Sequence, residues 1–125
     1  MEKVRKLKVA PVFSKDKALM RLYRRLNKKW FDGKLPNDVL VGWHYDGENY
    51  GCTGILVTKN SDGTTTESLA IALDPTIMNH SKWLMLTLIH EMCHVATQDE
   101  KKSHGPKFYK EKRRVMAAGA IDVWW

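Results

Sequence analysis

The segment 81–97 constrains the fold of this chain more than any other part of the sequence. Apolar residues cover almost the whole circumference of the helix that it predicts, a pattern typical of a buried helix. Three ionisable residues, His90, Glu91 and His94, interrupt this apolar surface in the order His-Glu-x-x-His. Burying such groups without partners is unfavourable, and a bound dication supplies a partner. The sequence therefore predicts a buried helix that carries a metal site.

The spacing of the two histidines indicates which metal this site holds. Residues four apart lie on one face of a helix, so His90 and His94 suit two ligands of one tetrahedral Zn²⁺. Glu91 projects about 100° around the helix from His90, where it can reach a metal-bound water without being a ligand. This arrangement is typical of zinc peptidases in which the glutamate is the general base.

A catalytic zinc ion needs a third protein ligand, and His104 is the best candidate. Nine residues separate it from His94, enough to end a helix and turn back, and Gly105 gives the backbone freedom beside the metal. The alternative ligands are His44, His80, Cys93 and nearby carboxylates.

Each of the named alternatives has a simpler interpretation. Cys93 projects from another side of the helix and is interpreted as a buried, inert thiol. His44 and His80 are interpreted as ordinary residues, although His44, at the end of a predicted strand, could also enter the cleft as a stabiliser of the oxyanion.

The remaining patterns predict an α+β fold around this helix. An apolar stripe predicts a first helix over residues 14–31 with Ser14 as N-cap, and Pro106 begins a third helix that ends near Ala118. Strand-like runs separated by turn signals, such as Asp46-Gly47, predict a three-stranded antiparallel meander over residues 39–45, 50–59 and 64–74. Gly51 and Gly54 in the second run indicate a bulge or a close backbone approach. A further short strand is predicted over residues 121–125.

Positive charge is concentrated at the amino-terminal end of the chain. Residues 1–35 hold 12 Lys or Arg and 3 acidic residues, a net charge of +9, whereas residues 36–125 hold 9 and 11, a net charge of −2. Much of this excess lies on the polar face of the first predicted helix. The pattern fits either a solvated helix face or a nucleic-acid footprint. The residues assigned to such a footprint are Arg21, Arg24, Arg25 and Lys28.

Length and composition predict a single domain over residues 1–125. No apolar run approaches the roughly 20 residues needed to cross a bilayer, and the charged amino terminus lacks the apolar stretch of a secretory signal. Two cysteines are too few for a disulfide framework. We therefore expect a cytoplasmic protein without membrane contact.

Five short motifs along the chain point to one family. They are Asn27 with residues 30–36 (Trp-Phe-Asp-Gly-Lys-Leu-Pro), Trp43, residues 51–54 (Gly-Cys-Thr-Gly), residues 87–94 around the two histidines, and residues 104–108 (His-Gly-Pro-Lys-Phe). With them the chain resembles the SprT-like metallopeptidase domain, the catalytic domain type of the Spartan DNA–protein crosslink proteases. The resemblance spans roughly residues 18–120, and the first and last motifs make it specific.

The resemblance implies a zincin-like metallopeptidase fold with Zn²⁺ held by His90, His94 and His104, and with Glu91 catalytic. It also implies that a peptide substrate lies along the edge strand before the active-site helix, here residues 69–73. Its substrates would be proteins, including DNA-bound or DNA-crosslinked proteins, with DNA as a further partner. We expect no carboxy-terminal zinc-ribbon module.

Two other functions fit the same residues. A nucleic-acid-binding module with a structural zinc would need a fourth ligand, such as Cys93 or a carboxylate. An adaptor or inhibitor would keep the fold without the activity. Glu91 beside the open side of the metal favours hydrolysis, so the expected function is a zinc-dependent endopeptidase.

Overall fold

The computed structural model describes residues 13–45, 49–98 and 104–119, and these residues form the predicted α+β fold. Three α-helices and a four-stranded mixed sheet make up its regular structure. The elements are β1 (Ser14–Lys15), α1 (Lys17–Trp30), β2 (Leu40–Trp43), β3 (Gly51–Lys59), β4 (Thr65–Leu73), a 3-10 turn (Pro75–Ile77), α2 (Ser81–Ala96) and α3 (Pro106–Ala117). The strand predicted over residues 121–125 and the Asp46-Gly47 turn lie outside the described residues.

The sheet differs from the predicted meander in the place of its strand β2. The strand order is β1-β2-β4-β3, so β2 and β3 are not neighbours. Strands β3 and β4 form the expected antiparallel hairpin in an unbroken register. Strand β2 pairs in parallel with β4, from Leu40 opposite Ala70 to Trp43 opposite Leu73. The predicted antiparallel pairing of the first and second strands is therefore wrong.

Burial explains why β2 pairs with β4. The half of β4 from Ala70 to Leu73 is buried, whereas its first three residues, 65–67, are exposed. A strand segment in the core needs hydrogen-bond partners on both edges, because water cannot satisfy its backbone groups there. β3 covers one edge of β4, and β2, with its own buried Val41, covers the other edge only along the buried half.

Helix α1 begins three residues later than predicted, because Asp16 rather than Ser14 is its N-cap. The Asp16 carboxylate accepts hydrogen bonds from the backbone N–H groups of Ala18, at 2.8 Å, and Leu19, at 3.1 Å. It also accepts one from the indole Nε1 of Trp43 at 2.8 Å, and these bonds, the indole one first, hold the pKa of Asp16 below its usual value. Ser14 instead pairs with Trp43 in the sheet as part of β1.

The connection from α1 to β2 is fixed by buried polar side chains of the helix. Asn27 is completely buried; its Nδ2 donates to the carbonyl of Leu35 at 2.8 Å, and its Oδ1 accepts from the Leu35 N–H at 3.1 Å. The Tyr23 hydroxyl donates to the carbonyl of Pro36 at 2.7 Å. These bonds give the first motif of the sequence a structural role, which is to fold the chain back from the helix to the sheet.

Helices α2 and α3 lie within one residue of their predicted bounds. From Met85 onward α2 is largely in the core, and α3 packs against it with Phe108 and Val115, both completely buried. The first turn of α2 differs from the prediction, because Trp83 is 54% exposed. None of the helices in the described part of the chain is long and apolar enough to cross a membrane.

Candidate metal centre

Three imidazole rings meet between α2 and α3, and we refer to His90, His94 and His104 as the histidine cluster. The Nε2 atom of His104 lies 3.3 Å from that of His90 and 3.2 Å from that of His94. One ligand atom from each residue lies within 4.8 Å of the other two. Two successive turns of α2 supply the first pair, and the residues just before α3 supply His104. The structure thus brings the three predicted ligands together.

The cluster provides donors in the form that a metal ion requires. Burial, with smaller contributions from nearby Lys112 and His104, lowers the pKa of His90 to about 4, so this ring is neutral at neutral pH. His94 is 8% exposed, whereas His104 lies at the surface. A neutral imidazole nitrogen has the lone pair that a protonated one lacks. Three imidazole nitrogens match a common donor set of zinc, so the residues fit this metal.

The ring of Phe108 packs against all three rings of the cluster. Its ring centroid lies 4.4 Å from that of His94, in a stacked arrangement, 5.0 Å from that of His90 and 4.9 Å from that of His104. Because Phe108 is completely buried, its position is set by the core rather than by the histidines. Phe108 belongs to the motif over residues 104–108, which did not indicate a role for it. Its position four residues after His104, in the first turn of a predicted helix, was the available signal.

Glu91 is held by a residue that sequence reasoning also missed. The carboxylate is 6% exposed, and its Oε1 accepts a hydrogen bond from the hydroxyl of Thr53 at 2.7 Å. The same hydroxyl lies 3.3 Å from the Glu91 carbonyl oxygen, so it bridges the side chain and backbone of that residue. Thr53 belongs to β3, which therefore fixes the orientation of the carboxylate. Because 38 positions separate the two residues, no local sequence pattern indicates this contact.

The first residue of β3, Gly51, approaches the same carboxylate. A Cβ atom added there would lie 2.8 Å from Cγ2 of Thr87 and 3.0 Å from Oε2 of Glu91, so the close approach predicted for this glycine is present. The strand predicted to hold substrate, residues 69–73, belongs to β4, which lies between β2 and β3. The prediction that residues 69–73 form an edge strand is wrong, and in the part of the chain that the structure describes β3 is the outer strand beside Glu91.

The alternative ligands do not reach the cluster. Among the described residues, the group that could hold a metal ion consists of the three histidines alone. Cys93 is completely buried, and burial raises the pKa of its thiol to about 12, as expected for an inert cysteine. His44 continues β2, where its N–H donates to the carbonyl of Leu73, and His80 precedes α2. His44 is not among the residues that line the space beside Glu91, and its suggested role at the oxyanion stays a prediction.

A cleft of about 490 Å³ opens beside the cluster, and both His90 and Glu91 line it. We refer to it as the cleft. Its other walls come from α2, from the residues that lead into β3, and from α3. The side chains that line it include Tyr50, Trp83, Leu86, Thr87, Lys112 and Met116. A reacting group at the cluster is therefore accessible to a ligand from solvent.

The residues assigned to nucleic-acid contact lie on a different element. Arg21, Arg24, Arg25 and Lys28 are all exposed on α1, and with the equally exposed Lys17 and Lys29 they form what we call the basic face. In the part of the chain that the structure describes, none of them forms an ion pair. The basic face therefore offers positive charge to solvent, although Arg21 also interacts electrostatically with Asp16.

Comparison with known proteins agrees with this geometry. The model of the SprT-like family matches residues 19–123, a range that contains α1 apart from its first two residues, strands β2 to β4, α2 and α3. The match includes the histidine cluster, Glu91 and Thr53. No solved structure matches the chain.

Proposed function

The chain belongs to the SprT-like family, and on this premise we propose that it is a zinc-dependent endopeptidase acting on protein substrates. One observation carries the proposal: the Nε2 atoms of three histidines converge beside a buried glutamate, and that glutamate lines an open cleft. A carboxylate adjoining a three-histidine site is suited to the metal-assisted hydrolysis of an amide. The proposed ligands are His90, His94 and His104, and the proposed catalytic residue is Glu91.

Different residues of the chain have separate roles in the proposed reaction. Zinc, when bound by the three histidines, supplies a Lewis acid that acidifies water and polarises a carbonyl group. Glu91 takes the proton of the attacking water and passes it to the leaving amine. Thr53 holds Oε1 of that carboxylate, and the lack of a side chain at Gly51 leaves room for Oε2, so the base keeps one orientation. Positioning of this kind lowers the entropic part of the barrier.

Strand β3 is the proposed binding edge for the substrate backbone. Among the described residues it is the outer strand of the sheet, and a Cβ atom added at its first residue would lie 3.0 Å from the proposed catalytic carboxylate. An extended peptide can add to such an edge through backbone hydrogen bonds, which recognise any sequence. This mode of binding suits a protease with many protein substrates.

The rival function, a nucleic-acid-binding or adaptor protein with a structural zinc, receives less support. A structural zinc site is closed by four protein ligands, and the described residues bring three to the cluster. The buried thiol of Cys93 does not belong to this group. An open position is what a catalytic site needs.

Substitution of Glu91 tests the proposal directly. In Glu91→Gln the amide keeps the size of the side chain and can accept the Thr53 hydrogen bond, but it cannot take a proton. We expect peptide cleavage to fall by at least about a hundredfold while zinc content is unchanged. Glu67→Gln, at an exposed position of β4, is the matched control. Equal cleavage by Glu91→Gln and the unsubstituted protein would contradict the proposal.

We also propose that DNA-associated proteins are among the substrates. The basic face supports this, because exposed cations on one helix can neutralise backbone phosphates without reading base sequence. The aromatic residues of α1 that could stack on bases, Tyr23 and Trp30, are buried in the core. Binding is therefore expected to be electrostatic, and DNA would bring the protease to its substrate.

A further inference from the structure

We propose that the cleft selects peptides with a large apolar side chain, above all an aromatic one, within three residues of the bond to be cleaved, and that it rejects cationic side chains at this position. This inference rests on the proposed peptidase function and adds a substrate class to it. Four features of the cleft support it: two exposed aromatic rings, their distance from Glu91, one cationic side chain and the size of the cleft.

The two exposed rings are the first feature. Trp83 and Tyr50 are each 54% exposed, and their ring centroids lie 6.1 Å apart. They come from different elements, since Trp83 lies on α2 and Tyr50 precedes β3. Large rings left in water lose the stabilisation that burial would give them, and a ligand that covers them restores it. A paired ring arrangement at the mouth of a cleft therefore favours an apolar ligand.

The path along α2 places these rings close to the reacting centre. Trp83, Thr87 and His90 follow at i, i+4 and i+7, so they lie on one face of the helix, and Leu86 lies beside them in the same cleft. Seven residues of helix span about 10 Å, the length of about three residues of extended peptide. A side chain that contacts Trp83 thus belongs to a residue within three positions of the cleaved bond.

Lys112 contributes a positive charge to the lining of the cleft. It lies four residues after Phe108 and four before Met116, so α3 turns all three towards the cluster and the cleft. Lys112 is half-buried, and it forms no hydrogen bond or ion pair with another described residue. A positive charge beside an apolar wall, with little water to screen it, repels a lysine or arginine of the substrate.

The size of the cleft limits what can occupy it. At about 490 Å³ it falls within the range of about 300–1,000 Å³ that holds small ligands, so it takes a side chain rather than a folded domain. In an extended peptide paired with β3, alternate side chains point to opposite faces of the sheet. One residue can therefore enter the cleft while its neighbours remain in solvent.

A set of peptides that differ at one position tests the inference. The set carries Phe, Leu, Ala, Glu or Lys at each of the three positions on either side of the cleaved bond, and cleavage is mapped by mass spectrometry. We expect kcat/KM at one of these positions to be at least about tenfold higher for Phe than for Ala, and lowest for Lys. Trp83→Ala should remove most of the preference for Phe, measured as the ratio of kcat/KM for the Phe peptide to that for the Ala peptide, while zinc content is unchanged. Tyr45→Ala, which removes an exposed ring outside the cleft, is the control.

Charge reversal at Lys112 tests the second half of the inference. Lys112→Glu should raise kcat/KM for the Lys peptide relative to the Glu peptide by at least about tenfold. Equal cleavage of all peptides, or a Phe preference that survives Trp83→Ala, would overturn the inference while leaving the peptidase function intact.

Binding measurements separate this inference from the proposed function. With the Glu91→Gln protein, fluorescence anisotropy of labelled peptides measures affinity without turnover. We expect the Phe peptide to bind at least about tenfold more tightly than the Ala peptide, and Trp83→Ala in the same background to abolish the difference. If selective binding occurs but no protein cleaves any peptide, the peptidase function fails and the apolar binding site stands. Equal affinities would overturn the inference.

Discussion

The histidine cluster and the basic face of α1 differ in how far packing fixes their side chains. In the cluster, one completely buried phenylalanine touches all three rings, and the adjoining glutamate is held by a hydroxyl from another strand. On the basic face, long cationic side chains project into solvent from a single helix. Under the proposed function, the first region depends on the geometry of its side chains and the second on its total charge. Single substitutions should therefore have large effects in the cluster and small, cumulative effects on the basic face.

The largest effect is expected from removal of the third ligand. His104→Ala should lose nearly all bound zinc, because two histidines rarely hold a catalytic zinc ion, and His90→Ala should do the same. Metal analysis of the purified proteins is the measurement. His80→Ala and His44→Ala, which change histidines away from the cluster, should keep about one zinc per chain. Full zinc occupancy in His104→Ala would show that another residue is the third ligand.

The next effect concerns the aromatic support of the cluster. Phe108→Ala should lower the free energy of unfolding by about 3–5 kcal/mol, since it leaves a cavity beneath three rings. Urea denaturation measures this loss, and zinc affinity should weaken in parallel because the ligands lose their support. Tyr109→Ala removes the neighbouring ring of α3, which is 47% exposed, and serves as the control. Similar losses in the two variants would mean that Phe108 has no special place in the site.

A smaller effect is expected at the residue that orients the base. Thr53→Val keeps the shape of the side chain but leaves a buried carboxylate oxygen without this hydrogen bond, a loss of about 1–3 kcal/mol. We expect kcat to fall about tenfold with KM little changed, and Thr53→Ser to recover most of the activity. Thr58→Val, at an exposed position of the same strand, is the matched control. An unchanged kcat in Thr53→Val would remove this residue from the mechanism.

The smallest effect per residue is expected on the basic face. DNA affinity should fall with rising salt, and replacement of four cations by Gln should abolish binding while zinc content is unchanged. If each cation contacts one phosphate, the slope of log K against log salt is about −4 for the four together. The residues to change are Arg21, Arg24, Arg25 and Lys28.

A matched control for this experiment removes the same number of charges from other exposed positions. The control positions are Lys34, Lys59, Lys110 and Arg113. Titrations with single- and double-stranded DNA at low and high salt should separate the two quadruple variants. Loss of affinity in both would mean that net charge alone matters, and absence of binding at low salt would exclude a DNA-linked role for this face.

Local patterns were enough to predict the helices and the members of the site. The apolar stripe of α1, the apolar segment of α2 and Pro106 at the start of α3 each lie within one stretch of sequence, where side-chain spacing determines the outcome. The two histidines of α2 and the nearby His104 were found in the same way. Even within α1, however, the N-cap was misplaced, because Asp16 accepts a hydrogen bond from the distant Trp43 while Ser14 pairs with Trp43 in the sheet.

Contacts between distant segments were not predictable in this way. The Asp46-Gly47 turn signal favoured pairing of β2 with β3, whereas burial of Ala70 to Leu73 selected β2 as the second partner of β4. A turn signal reports local backbone preference, but pairing is decided by which strand half must be buried. The same limit hid the contact of Thr53 with Glu91, because neither residue has a sequence pattern that names its partner.

The close approach at Gly51 restricts which mutations can accumulate around the site. A side chain at position 51 would meet two groups, Cγ2 of Thr87 and Oε2 of Glu91. A change at position 87 that removes the methyl group would relieve the first clash, so these two positions can vary together. The second clash is relieved only if the Glu91 carboxylate shifts, and under the proposed function such a shift would disturb the base. Substitutions at position 51 are therefore expected to depend on Glu91, whereas the proposed substrate-binding edge can vary more freely from Cys52 onward.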